Sequence, residues 1–154
     1  SINLIEMDSK FYSRQLIKMP CFSVLNQIGF RSFVCSSEFF FPWQNKKENP
    51  IDLKYFNEEK FFLQIFLRGN PFMGKQADIH RWLISIKQLQ RLNRLIGVVI
   101  YGSPYLWVDI LKILDSSIPH AYSPSQTKFA QNEVIKNLFD LSYHVDQKLN
   151  QFTD

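Results

Sequence analysis

Cysteine is scarce in this chain: Cys21 and Cys35 are too few for a disulfide scaffold, and their spacing matches neither a zinc site nor a redox Cys-x-x-Cys. Buried free thiols are the default expectation, and the separation alone neither requires nor forbids a bridge. Glycine is scarce too. The 5 glycines form no Gly-rich phosphate cradle, which argues against a nucleotide or flavin enzyme. His80, His120 and His144 belong to no His-x-x-x-His or Cys/His cluster, so neither a metal nor a cofactor is expected. Gly102-Ser103-Pro104 lacks the Gly-x-Ser-x-Gly pattern of a nucleophile elbow, and its proline removes a backbone donor from any oxyanion hole. No apolar stretch approaches the roughly 20 residues that span a bilayer. The start does not resemble a signal peptide, so the expectation is a soluble chain, cytoplasmic rather than exported. Ser1 leads at once into a strand-like segment, as in a domain cut from a longer protein.

What is present fits one α/β domain over residues 1–154, with 45% hydrophobic and 21% charged residues. At this length roughly 68–70% of the unfolded chain's surface can be buried. The net charge of +4 admits an anionic partner. Its distribution does not favour one. A helix from Gln76 to Asn93 places Ile79, Trp82, Leu83, Ile86 and Leu89 on one face, with Lys87, Arg91 and Arg94 beside it. A solvated surface accounts for these cations, a domain-docking surface is the alternative, and nucleic acid is not expected because no stacking pattern accompanies them.

Strands are expected at Ile2 to Glu6, Phe30 to Ser36, Lys60 to Arg68, Val98 to Tyr101 and Ile118 to Tyr122. Helices are expected from Pro20 to Ile28, ended by Gly29, and from Leu106 to Leu114 with Pro104 in the first turn. Ser123, Pro124 and Gln126 read as a cap, a first helical residue and a capping box for a last helix. Strands alternating with helices predict a flavodoxin-like three-layer α/β sandwich with a mainly parallel sheet of about five strands. The segment from Glu38 to Lys60, with Phe39-Phe40-Phe41-Pro42-Trp43, is the least regular. Its aromatics either cover the domain's own sheet or meet a partner or sugar.

Ligands of open α/β sheets bind beyond the strand ends, which directs attention to the turns after each strand. Arg68, Asn70, Ser103, Tyr105 and Tyr122 are the candidate ligand or domain-interface residues there. The alternative is architectural: Arg68 and Asn70 satisfy turn carbonyls while the tyrosines fill the rim. Asp8 and Glu38 read as turn or capping groups.

Val98-Val99, Ser103-Pro104-Tyr105, Ala121-Tyr122, Phe129-Ala130 and Leu138-Phe139 resemble, in order and spacing, the C-terminal α/β domain of glycoside hydrolase family 3. That family includes β-glucosidases and bacterial β-N-acetylhexosaminidases. The resemblance is clear over residues 95–139 and weaker upstream, where Phe61 to Arg68 leads into Gly69-Asn70-Pro71. Asp140 stands where the family closes with glycine, so the last helix is expected to run on through Tyr143, Val145 and Leu149. The family's chemistry belongs to an N-terminal (β/α)8 barrel of about 250 residues, longer than this whole chain. Its Lys-His-Phe-Pro-Gly-His-Gly type loop and Ser-Asp type nucleophile motif are absent here. Some larger members supply an acid/base carboxylate from this domain, but no motif carries that role onto Asp8 or Glu38. The resemblance therefore implies a non-catalytic accessory domain, structural or substrate-lining, whose partner is the barrel. The alternative is a stand-alone module that binds a carbohydrate or a partner.

Overall fold

A computed structural model describes residues 1–7, 18–35, 51, 53–67 and 76–139. The elements run β1 (Ile2–Glu6), α1 (Pro20–Gln27), β2 (Arg31–Cys35), a 3-10 turn (Leu53–Phe56), β3 (Phe61–Leu67), α2 (Gln76–Arg91), β4 (Leu95–Gly102), α3 (Pro104–Ile113), β5 (His120–Ser123) and α4 (Lys128–Phe139). The five strands form one parallel sheet in the order β2-β1-β3-β4-β5. The predicted flavodoxin-like sandwich is what the chain adopts.

Side-chain alternation divides the core into two layers. Ile2, Leu4, Phe61, Leu63, Ile65, Val98 and Ile100 pack with Trp82, Ile86 and Leu89 of α2 and with Leu106 and Ile110 of α3. On the opposite face Ile5, Val34, Phe62, Phe66, Val99 and Tyr101 meet Cys21 and Leu25 of α1 and Ile135 of α4. Every residue of β3 is buried, as a central parallel strand covered on both faces requires. Phe56 and Ile51 join the first layer, Phe56 edge-on to Phe33 and to Phe61 at 5.2 Å each. The later part of the irregular segment thus covers the domain's own sheet; Phe39 to Trp43 lie outside the described residues.

The two cysteines sit in different layers. Cys35, at the end of β2, faces the α2/α3 side, whereas Cys21 lies in α1 on the other. Both are free and buried, and the sheet between them rules out a bridge.

Helix ends follow local chemistry. Gly29, at φ 102°, lets Phe30 N donate to Leu25 O at 3.0 Å and close α1. Asn93, at φ 57°, does the same for α2, where Arg94 N donates to Leu89 O at 2.8 Å. One expectation fails: α4 begins at Lys128, four residues after Pro124. Ser123 belongs to β5, and its hydroxyl closes a local turn, accepting from Ser125 N at 3.2 Å and donating to Ser125 O at 2.8 Å. Thr127 instead supplies the cap, accepting from Ala130 N at 3.2 Å. Gln126 is occupied elsewhere, its amide reaching Tyr101 O at 3.4 Å. The expected continuation beyond Phe139 lies outside the described residues.

A polar network crosses the α1/α4 face of the sheet. Gln64 Nε2 donates to Asn3 Oδ1 and to Cys21 O, each at 2.8 Å. Asn3 Nδ2 donates to the same Cys21 carbonyl at 2.8 Å and to Ser32 Oγ at 2.9 Å. The Tyr101 hydroxyl donates to Gln64 Oε1 at 3.0 Å, and Gln131 Oε1 accepts from Cys21 N at 3.1 Å. Four strands and two helices are thereby tied at one buried point.

Burial of an amide is tolerable only while its partners remain. Tyr101→Phe removes one donor and is expected to cost about 1–2 kcal/mol. Gln64→Leu strands several partners and is expected to cost about 2–4 kcal/mol. In urea unfolding the double variant should lose less than the two single losses added, because each single change orphans what the other would remove. Additive losses would show that the two side chains act independently.

Burial also pushes the Cys21 thiol up to about 12 and raises Tyr101 well above its usual range. The folded state therefore holds protons that the unfolded chain releases. That contribution is intact below the unfolded thiol's value of about 8.5 and is lost as pH rises through the folded value. Urea unfolding under reducing conditions should show stability falling progressively above about pH 8.5, and Cys21→Ala should make that fall shallower. A pH-independent stability between neutrality and pH 11 would contradict this reading.

Candidate functional site

In a sheet ordered β2-β1-β3-β4-β5 the chain reverses direction between β1 and β3, and ligands of such sheets bind beyond the carboxyl ends near that point. The described part of this edge has two clusters, one at β4/β5 and one at β1/β2.

The β4/β5 cluster is organised by Gly102, at φ 101°. A Cβ here would overlap the Leu67 carbonyl and come within 2.8 Å of Gln126 Nε2. Only glycine lets β4 finish this close to β3. Ser103 follows, buried, with its Oγ accepting from Leu106 N at 3.4 Å as the cap of α3. Pro104 occupies the first helical turn, where its missing N–H costs nothing. The Tyr122 hydroxyl donates to Gly102 O at 3.1 Å, and its ring stacks on Trp107 at 5.9 Å and 17°. Trp107 also meets His120 at 5.6 Å. Tyr105 is 58% exposed on the outer side of α3.

Ser103 and Tyr122 therefore converge on Gly102, while Tyr105 faces outward. Arg68 and Asn70 lie outside the described residues, as do Asp8 and Glu38. Hydrogen bonding of Ser103 and Tyr122 is directed to the backbone, and among the five candidates only Tyr105 is described as strongly exposed.

Sequence reading did not single out the β1/β2 pair. Glu6 and Cys35 are the last residues of adjacent strands and are in register. Cys35 Sγ donates to Glu6 Oε2 at 3.0 Å, with the carboxylate only 8% exposed. Burial pushes the Cys35 thiol well up, the charge of Glu6 and this hydrogen bond push it further, and the Arg81 guanidinium partly opposes them. The thiol is thus held protonated, the unreactive form of cysteine. The signal was present in two strands ending Ile-Glu and Val-Cys, but their pairing follows only from the strand order. Among the described residues no three His, Cys, Asp or Glu side chains gather into a group that could hold a metal, and no helix is long and apolar enough to cross a membrane.

A doubly wound parallel sandwich with this strand order is one of the folds that carry many functions, so the class alone names none. The residues are more specific. Positions 1–140 match the family model described as the bacterial glycosyl hydrolase family 3 C-terminal domain, and the chain belongs to that family. The match reaches well beyond the 95–139 stretch legible by eye and takes in β1 to β3. No match is found among curated proteins.

Gly102→Ala is expected to destabilise the domain by more than about 3 kcal/mol, because backbone strain adds to overlap with a carbonyl that cannot move aside. Gly29→Ala has open space around the new methyl and only the positive φ to bear, so it should cost about 1 kcal/mol. Equal losses in thermal or urea unfolding would remove the close approach of β3 and β4 as the reason for glycine at 102.

Proposed function

We propose that this chain is a non-catalytic accessory domain of a family 3 glycoside hydrolase, a β-N-acetylhexosaminidase or β-glucosidase, with a structural or substrate-lining role. The observation that carries the reading is the family match over residues 1–140, which is to the C-terminal domain. A family 3 parent has other domains, and the partner in this reading is an N-terminal (β/α)8 barrel holding the two catalytic groups that glycoside hydrolysis requires. The local chemistry supports it: the Ser103 hydroxyl caps a helix and the Tyr122 hydroxyl holds the end of β4. Both are architectural tasks. The chain alone should not hydrolyse aryl β-glucosides or aryl β-N-acetylglucosaminides. Turnover by the purified chain, abolished by substitution of Asp8 or Glu38, would overturn the proposal.

One observation favours a second reading, a carbohydrate-binding module at the strand-end rim with Arg68, Asn70, Ser103, Tyr105 and Tyr122 as candidate contacts. Tyr105 presents an exposed aromatic face at the edge where such sheets bind ligands. Titration with N-acetylglucosamine oligosaccharides, followed by tryptophan fluorescence, separates the two. A saturable change lost in Tyr105→Ala supports binding; a flat response supports the structural role.

A further inference from the structure

We propose that the outward face of α3 is the surface on which another domain of the parent polypeptide seats, an inference that rests on the accessory-domain reading. A helix at a domain surface needs one apolar stripe and a polar back. Helix α3 lacks the polar back. Leu106 and Ile110 are fully buried against the sheet. On the other side Pro104, Tyr105, Val108 and Leu111 fall within an arc of about 120°, centred opposite Leu106 and Ile110. Tyr105, Val108 and Leu111 are 58%, 51% and 46% exposed. The charged residues of Pro104–Ile113 are Asp109 and Lys112, and they face each other at 3.7 Å across one turn. An all-round apolar helix is the pattern of a helix covered on both sides. By contrast, α4 exposes Lys128, Glu133 and Asn137 together with Phe129.

The occupant follows from the family, since a C-terminal domain of this kind is one part of a longer chain and its neighbour travels with it at fixed stoichiometry. The stripe also continues into Pro104 and Tyr105 at the carboxyl edge of β4, so a domain seated on α3 would border the strand-end rim. The matching surface is apolar, with an acceptor or donor placed for the Tyr105 hydroxyl.

Both native cysteines are buried, so an introduced surface thiol is a selective reporter. Val108→Cys, with Leu111→Cys as a second variant and Glu133→Cys as the control on α4, is labelled with a maleimide in the isolated chain and in the full parent polypeptide. The expected result is labelling of the α3 thiols at least about tenfold slower in the parent than in the isolated chain, with Glu133→Cys unchanged. Equal rates for Val108→Cys and Leu111→Cys in both contexts would overturn the proposal. So would protection in the isolated chain that grows with its concentration, which would assign the face to a second copy. Labelling does not depend on turnover, so a parent that fails to cleave glycosides refutes the glycosidase reading while leaving this result intact.

Discussion

Asn3, Gln64 and Tyr101 impose the constraint on which the rest of the domain depends. Three neighbouring central strands each place one polar side chain on the same face, where a parallel sheet would ordinarily place aliphatics. Each is buried, so each must be satisfied inside the protein. The first turn of α1 supplies the shared partner. Cys21 O accepts from two side-chain amides, and Cys21 N donates to Gln131 of α4. A slip of one residue in β1 would turn Asn3 to the other face and break the whole set. Polar specificity thus fixes register and helix position together, while the surrounding Ile5, Phe62, Phe66 and Val99 provide the apolar area.

The same network explains why the two sides of the sandwich differ. On the α1/α4 side the helices are placed by hydrogen bonds as well as by packing. On the α2/α3 side the contacts are largely apolar, with Gln90 bridging from α2 to Ile113 O at 3.1 Å and to Asp115 N at 2.7 Å. Position on that side is set by shape. An apolar helix back there is available to a neighbour without disturbing any polar commitment of the core.

Legibility in the sequence tracked how local the cause was. Pro20, Ser103-Pro104 and Gly29 act within a few residues, and each marks an element end where the chain has one. The continuous apolar run of β3 and the β-branched run of β4 announce buried parallel strands by themselves. The last helix start was misplaced because Ser123, Pro124 and Gln126 satisfy a local rule that tertiary contacts override: Gln126 turns toward Tyr101 O, twenty-five residues away in sequence. The Glu6–Cys35 pair and the Asn3–Gln64–Tyr101 chain were illegible for the same reason. Their partners lie 29, 61 and 37 residues apart, and only strand order brings them together. Among the candidate site residues, Ser103 was recognisable as a cap, whereas the bond from Tyr122 to Gly102 depends on β5 lying beside β4.

Chemistry at the carboxyl edge turns on which polar groups have been left uncommitted by folding. A nucleophile or general acid needs a group whose protons and lone pairs are free to meet substrate. Cys35 is held as a neutral thiol against Glu6, Ser103 is bonded to the helix it starts, and Tyr122 is bonded to the strand it borders. Each of these groups has the right element for catalysis and the wrong bonding for it. Gly102 shows the same economy in the backbone, since its freedom from a side chain serves the contact between β3 and β4 rather than the approach of a phosphate. Architecture has claimed the described polar groups of this edge, and what it leaves facing outward along α3 is apolar: Tyr105, Val108 and Leu111. Apolar surface recognises another surface more readily than it transforms a substrate. That balance of committed polar groups and uncovered apolar ones is the physical ground for treating the domain as a part that completes an enzyme.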